Sequence, residues 1–417
     1  MELMPGYKQS EVGPIPSDWD LLPVSELANV DPENLSASTD PNYSFNYISL
    51  EQVDFGNLIG TSREVFRTAP SRARRIVRHD DVLMSTVRPN LKAHLHFRSQ
   101  VSDAICSTGF AVLRAKPDAA DPAYIFAHLF ASPVNKQIEK TLAGSNYPAI
   151  NSRDVRELKI PCPPTLREQG VIAQALSDVD ALLATLDQMI AKKRDLKQAA
   201  MQQLLTGKTR LPGFFGEWQK KPLGELGATY GGLTGKTKSD FGVGTAKYIT
   251  FMNVMTNTVI DCAACEQVNV SASETQNRVM RGDLIFNGSS ETPEEVAFCS
   301  LMAEEVPNLY LNSFCFGFRL FDDQQVDGLF LTYYIRANPG REMMKSLAQG
   351  STRYNLSKTA LCEASVLLPL KEEQAAIAEV LSGMDAELIA LETRRDKTRN
   401  IKQAMMQELL TGKTRLV

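Results

Sequence analysis

Apolar residues recur at alternating steps of four and three along two stretches of this chain. Ile172, Leu176, Val179, Leu183, Leu186 and Ile190 make the first series; Ile377, Leu381, Met384, Leu388 and Leu391 make the second. A mean spacing of about 3.5 residues gathers such side chains into one narrow seam of a helix, the pattern of a coiled coil. Start and stop signals frame both stretches. Thr165-Leu166-Arg167-Glu168 follows Pro163-Pro164 and fits a capping box, while Glu372 and Glu373 suit the positive end of the second helix. Gly207 and Gly412 stand where helices commonly end in a left-handed residue. The pattern predicts helices over 165–206 and 371–411, each roughly 60 Å long at about 1.5 Å per residue.

The two stretches are copies of one another. Residues 167–211 align with 372–416 without a gap at an offset of 205, with 25 of 45 positions identical. Both end in Leu-Leu-Thr-Gly-Lys-Thr-Arg-Leu. Neither rod can bury its seam alone. The repetition of register and terminus therefore predicts that the two pair with each other, antiparallel.

Outside the helices the pattern shortens to β-like runs mixed with helical stretches at 122–142 and 329–347, which reads as α+β. Two blocks of similar size result, 1–164 and 212–370, each followed by a helix, 165–211 and 371–417. Both blocks carry the same landmarks in the same order. Trp19…Pro23…Glu26-Leu27 answers Trp218…Pro222…Glu225-Leu226, and Tyr47-Ile48 and Tyr248-Ile249 read as strand starts. Asp81-Val82-Leu83-Met84 answers Asp283-Leu284-Ile285-Phe286, and the runs Phe110–Arg114 and Phe314–Arg319 each end at an arginine. Each block closes on Gly-Ser, a tyrosine and a strand running into proline. Between the landmarks the blocks are unlike, as expected of one scaffold used twice to present two surfaces. The N-terminal words supply the continuation that follows the first copy of the helix, so antiparallel helices would make the chain pseudo-circular.

Composition narrows the classes. No apolar run approaches the ~18 residues of a membrane-spanning helix, and residues 1–6 show no basic or apolar leader pattern. Seven cysteines, an odd number, suit reduced thiols in a cytoplasm. With 45 basic and 49 acidic residues the net charge is −4, so any contact with nucleic acid must rest on local charge.

Gly6-Tyr7-Lys8…Ile15-Pro16…Trp19, Val87-Arg88-Pro89, Pro161-Cys162-Pro163-Pro164…Glu168-Gln169 and the twice-used Leu-Leu-Thr-Gly-Lys-Thr-Arg-Leu resemble the specificity subunit of type I restriction–modification systems. The resemblance covers essentially the whole chain. It implies two mixed α/β target-recognition domains joined by two long helices in an antiparallel coiled coil. It implies a subunit that is not itself a catalyst and needs no cofactor or metal. Each domain would read one half of a split, asymmetric site in double-stranded DNA. The helices would act as spacer and as dock for two modification (methyltransferase) subunits, and restriction subunits would join them. The near-identical words at 196–205 and 401–410 make Lys197, Gln198 and Met201, with Lys402, Gln403 and Met406, the candidates for that dock.

The residues offer means of reading DNA. Between Arg63 and Arg98 stand Arg63, Arg67, Arg72, Arg74, Arg75, Arg78, Arg88, Lys92 and Arg98, nine basic residues against Glu64, Asp80 and Asp81, a local net of +6. Arg72-Ala73-Arg74-Arg75 reads as a phosphate grip. Arg88-Pro89-Asn90-Leu91-Lys92 reads as a loop with polar tips able to enter a groove. Asn146, Tyr147, Asn151 and Arg153 form a late loop of the first block. The second block offers Lys236 and Lys238, then Asn287-Gly288-Ser289-Ser290, placed as Ser85–Arg88 is in the first, and Arg353, Tyr354, Asn355 and Lys358.

Other chemistries find less support. Gly235-Lys236-Thr237 and Gly207-Lys208-Thr209 lack the upstream glycine of a phosphate loop, since Tyr230 and Gln202 stand there. Cys262-Ala263-Ala264-Cys265 has no second pair at zinc spacing, and His94-Leu95-His96 has no evident third ligand. Asn338-Pro339-Gly340-Arg341 lacks the aromatic of an adenine-methyltransferase motif. The competing class is a coiled-coil scaffold with two protein- or glycan-binding modules and no DNA.

Overall fold

The computed structural model describes residues 5–142, 148–322 and 324–416. The chain divides into two compact units, residues 1–187 with 393–417 and residues 188–392. The long helices run Leu166–Leu204 and Lys371–Leu409, each ending two residues short of expectation. Among the described residues no helix is long and apolar enough to cross a membrane.

In the first unit a four-stranded antiparallel sheet orders Leu95–His96, Val82–Ser85, Phe110–Ala115 and Ala28–Val30. A second sheet orders Ser62–Val65, Ser44–Ile48, Ala104–Ser107 and Ala73–Val77, with Ser44–Ile48 parallel to Ala104–Ser107. Lys159–Cys162 pairs with Asp20–Pro23. The second unit repeats the plan. Gly227–Gly231, Cys315–Leu320, Leu284–Asn287 and Cys299–Leu301 form its antiparallel sheet. Phe241–Ile249 runs parallel to Leu309–Leu311, and Gln219–Pro222 pairs with Ser365–Leu368. Tyr47-Ile48 and Tyr248-Ile249 end their strands instead of starting them. The next residues, Ser49 and Thr250, turn the chain by capping a helical turn. The predicted helical stretches are each two helices, Pro122–Phe130 with Ser132–Leu142 and Gly328–Arg336 with Asn338–Leu347, because Ala131 and Ala337 are extended at the corner before Pro133 and Pro339.

Two landmarks that stood apart in the sequence meet in each unit. The carboxylate of Asp81, 1% exposed, takes two hydrogen bonds from Arg114 (2.8 and 2.9 Å) and one from the Arg78 amide (2.7 Å). Asp283, equally buried, takes the same set from Arg319 (2.8 and 2.7 Å) and the Met280 amide (2.8 Å). Such charge-assisted pairs replace the water that burial removes and fix where the central strand begins.

In both units the helix segments run antiparallel. Asp180 pairs with Lys402 in the first unit, and its repeat mate Asp385 pairs with Lys197 in the second. Asp187–Arg395 and Glu392–Arg194 continue the ladders in the sense expected when numbers rise on one helix and fall on the other. Thr165 Oγ1 does accept the Glu168 amide (3.2 Å), but the reciprocal half of the capping box is not made. The buried Glu168 carboxylate instead receives the Arg415 guanidinium, and Glu373 receives Arg210 in the same way. Each arginine also lies over a tryptophan ring, Arg415 at 5.8 Å from Trp19 and Arg210 at 6.0 Å from Trp218. Gly207 (φ 68°) and Gly412 (φ 70°) make the turn that brings the arginine back; a Cβ on Gly412 would stand 2.5 Å from Pro16. Tyr7 donates to the Gly412 carbonyl at 3.2 Å, so the N- and C-terminal words do meet.

Removing Arg210 leaves the Glu373 carboxylate, 1% exposed, without its counter-charge. Arg210→Met is expected to lower stability, and adding Glu373→Leu to recover most of the loss. Urea unfolding followed by tryptophan fluorescence measures both; equal stability of the single and double variants would refute the clamp. A second expectation concerns acid. Burial pulls His94 down to about 4 and His128 down to about 3, so both are neutral in the folded first unit across the usual range. The unfolded chain takes up their protons below pH ~6.5, so stability is level above that pH and falls as pH drops toward 4, by about 1.4 kcal/mol per pH unit per histidine. His128→Tyr, which installs the residue of the second unit (Tyr334), is expected to reduce the slope of unfolding free energy between pH 6.5 and 5 without abolishing it, since His94 and His96 are also drawn down by burial.

Candidate nucleic-acid interface

The candidate surface of the first unit begins where strand Val82–Ser85 leaves the core. The Ser85 amide donates to His94 Nδ1 (3.1 Å), and the Thr86 amide and hydroxyl both donate to the Gly109 carbonyl (2.8 and 2.9 Å). Held in this way, the chain meets the late loop. Val87 bridges to Ala149, the Arg88 amide donates to the Pro148 carbonyl (2.8 Å), and the Ile150 amide donates to Thr86 (2.9 Å). Arg88 and Lys92, both left-handed (φ 50° and 54°), flank the tight turn Pro89–Leu91, whose Asn90 and Leu91 are exposed. Arg72, Arg75, Thr86, Val87, Asn151 and Ser152 surround a cleft of about 350 Å³.

The basic residues around it differ in freedom. Successive residues of a strand face opposite sides, so Arg74 and Arg75 part company and no single grip forms. Arg75 is an inner brace, paired with Asp31 (2.8 Å) and donating to Ser152 Oγ (3.2 Å) and the Phe110 carbonyl. Arg74 lies over the Phe66 ring at 4.8 Å, and Arg78 pairs with Glu33 (2.8 Å). Arg78 and Arg114 together hold the Glu33 carboxyl at about 2, well below the usual range. Arg72 stands exposed at the rim of the cleft; Arg63 and Arg67 are exposed on and beyond strand Ser62–Val65, and Lys92 is half-buried. Asn151 uses its side-chain oxygen to cap helix Ser152–Glu157, accepting the amides of Arg153 (2.8 Å) and Asp154 (3.1 Å), and Arg153 pairs with Glu157. Asn146 and Tyr147 lie outside the described residues.

The second unit builds the same junction with other side chains. Ser289–Ser290 pairs with Tyr354–Leu356, Ser289 opposite Asn355 and Ser290 opposite Tyr354, and Ala348–Gln349 adds a third strand. Gly350 (φ 129°) turns this hairpin; a Cβ there would stand 2.1 Å from the Arg353 carbonyl. Asn287 is fully buried, its amide donating to the carbonyls of Glu295 (2.9 Å) and Ser289 (3.3 Å), so it shapes the turn from inside. Ser290 Oγ donates to Glu295 (3.1 Å). Arg353, Asn355 and Lys358 are exposed, with Tyr354 half-buried. The Arg353 guanidinium lies 5.3 Å from the ring of Phe314, an exposed aromatic legible only as the start of a strand landmark, and the Lys358 ammonium lies 5.8 Å from Phe316. Lys236 is withdrawn: its ammonium pairs with Glu274 and donates to Asn269 (2.6 Å), whereas Lys238 is exposed.

Of the dock candidates, Lys197 and Lys402 brace the helices through Asp385 and Asp180. Gln198 and Gln403 are exposed, and Met201 and Met406 pack half-buried against the two cores. The sequence also gave no sign of Asp31 and Glu33, which brace Arg75, Arg78 and Arg114 from a separate segment. Among the described residues no group of histidine, cysteine or carboxylate side chains could hold a metal ion. The surface is one of guanidiniums, amides and hydroxyls on rigid junctions, the groups that bond phosphates and base edges.

Comparison with known proteins agrees with this architecture. The type I restriction modification DNA specificity domain matches residues 79–193 and 216–399, well over half the chain. The type I restriction enzyme MjaVIII specificity subunit of Methanocaldococcus jannaschii is 24% identical over 330 residues, 75% of either chain. A solved chain from a study of complex assembly and conformational transition in a type I R-M system superposes with a TM-score of 0.60 at 22% identity, over 96% of this chain and 99% of that one. The S subunit of a type I restriction–modification system from M. genitalium does so with a TM-score of 0.59 at 15% identity, over 98% of both. With two matched segments on a fold built twice, this chain belongs to the type I restriction–modification DNA specificity family.

Proposed function

We propose that the chain is the non-catalytic, DNA-reading subunit of a type I restriction–modification enzyme and that it reads a bipartite, asymmetric site. The observation that carries this is the junction built twice. In each unit the strand leaving the core meets the late loop through the same backbone bonds, yet the exposed side chains differ: Arg72, Arg88, Asn90 and Arg153 on one, Arg353, Asn355 and Lys358 on the other. One scaffold with two dissimilar edges suits two unlike half-sites, with phosphate contacts supplying affinity and edge contacts the sequence. Blocks 1–164 and 212–370 serve as the two target-recognition domains. Segments 165–211 and 371–417 form the antiparallel coiled coil that spaces them and docks two modification subunits, with restriction subunits joining the assembly. The seam residues Ile172, Leu176, Ile377 and Leu381, all nearly unexposed, support that pairing.

Arg72→Ala and Arg353→Ala are each expected to weaken binding to specific and random duplex alike and to reduce the salt slope of log K by about one. Fluorescence anisotropy across a salt series measures this, and unchanged slopes in both variants would place the DNA elsewhere. The spacing role has a separate test. One extra helical turn, inserted into both 188–197 and 393–402, is expected to alter the spacer of the methylated site while leaving both half-sites intact, as methylome sequencing reads directly. A constant spacer would end the ruler idea.

A further inference from the structure

The second unit contains a cleft that the reading of DNA leaves unused. It measures about 650 Å³ and lies between the long helix and the corner where helix Gly328–Arg336 meets helix Asn338–Leu347. Arg194, Lys197, Gln198 and Met201 line it from the long helix, Arg336 and Arg341 from the corner.

Its charges do not balance. Glu392 answers Arg194 and Asp385 answers Lys197. Arg336 and Arg341 have no ion pair among the described residues. Their guanidiniums donate to backbone carbonyls, Arg336 to Met255 (2.9 Å) and Cys299 (3.2 Å), Arg341 to Glu294 (2.7 Å) and Ala297 (3.1 Å). Asp385, the acid whose field reaches Arg336, is already held by Lys197 and the Tyr333 hydroxyl. Both guanidiniums lie over the Phe298 ring, at 4.9 and 4.5 Å from its centre. Burial and the neighbouring Arg336 draw Arg341 down to about 10. Two like charges withdrawn from water beside a cleft are a standing cost that an incoming anion would relieve.

The repeat supplies its own control. In the first unit the two corner positions carry Phe130 and Asn135. Phe130 joins Phe55, Phe126 and His94 in an aromatic group, and the Asn135 amide donates to the Ala131 carbonyl (2.8 Å). The long-helix positions, by contrast, are preserved as Arg399, Lys402, Gln403 and Met406. The arginine pair is thus a property of the second unit and not of the shared scaffold, while the helix face beside it is common to both.

We propose that this cleft receives an acidic side chain of the modification subunit docked on the second unit, so that the two docks on the duplicated helices are unequal. A planar guanidinium pair matches carboxylate geometry, and Lys197, Gln198 and Met201 on the cleft wall belong to the face assigned to that subunit. The inference rests on the docking reading above.

The test titrates the full chain with its modification subunit across a salt series and follows bound copies by native mass spectrometry. In the wild type the two copies are expected to differ, one losing affinity with salt more steeply. Arg336→Phe with Arg341→Asn, which gives the second unit the corner of the first, is expected to weaken one copy about tenfold and to make the two salt slopes equal. Gln198→Glu, an exposed change that leaves the arginines and the core untouched, is expected to weaken the same copy about tenfold by filling the cleft with a fixed carboxylate. Gln403→Glu on the first unit is expected to weaken its copy threefold at most. Equal effects of Gln198→Glu and Gln403→Glu, or two equivalent copies in the wild type, overturn the inference while leaving docking intact. A wild-type chain that takes up no modification subunit overturns the docking reading itself, and this inference with it. Loss of duplex affinity by Gln198→Glu with unchanged subunit uptake would assign the cleft to DNA phosphate and refute the proposal.

Discussion

A buried carboxylate at the start of each long helix governs the rest. Glu168 and Glu373 lie one turn into their helices, almost wholly withdrawn from water, and each is neutralised by an arginine from just beyond the end of the other helix. A charge in that place is intolerable alone, so the end of one helix must come to the start of its partner. The left-handed glycine reverses the chain, the tryptophan covers the guanidinium, and Gln169 and Gln374 beside the carboxylates accept the amides of Asp121 and Asp327 (2.9 Å each). Helix pairing, helix termination and the attachment of each unit's short helices all follow from one requirement met twice.

On that repeated frame the differences become meaningful. The clamps Asp81–Arg114 and Asp283–Arg319 hold equivalent strands in equivalent places, so the chain leaves both cores at the same point. What emerges is unlike: a left-handed turn edged by Arg88 and Lys92 in one unit, a serine strand paired with a tyrosine–asparagine strand in the other. Rigid junctions presenting variable side chains let recognition change without disturbing the core that positions it. The corner arginines of the second unit are the same kind of difference on another face.

Much of this is legible in the sequence. The repeat at a fixed offset and its 3.5-residue seam made the two long helices legible, because periodicity and gapless repetition need no tertiary knowledge to be read. The landmarks Asp81, Arg114, Asp283 and Arg319 were visible as matched words, though not as partners, since nothing local says that a strand's first residue meets another strand's arginine. The loops after Ser85 and Asn287 were legible as candidate edges from their place in the repeat.

The sequence by itself determined the duplicated plan, the places where chemistry differs between copies and the local excess of positive charge. Only the tertiary structure decided which cations are available. Arg75 and Lys236 are held by Asp31 and Glu274, whereas Arg72, Arg353 and Lys358 are exposed, as is Arg78 despite its pairing with Glu33. The physical reason is that a composition count weighs every guanidinium alike, while pairing with a carboxylate distant in the chain, and the side of a strand on which a residue falls, are set by folding alone.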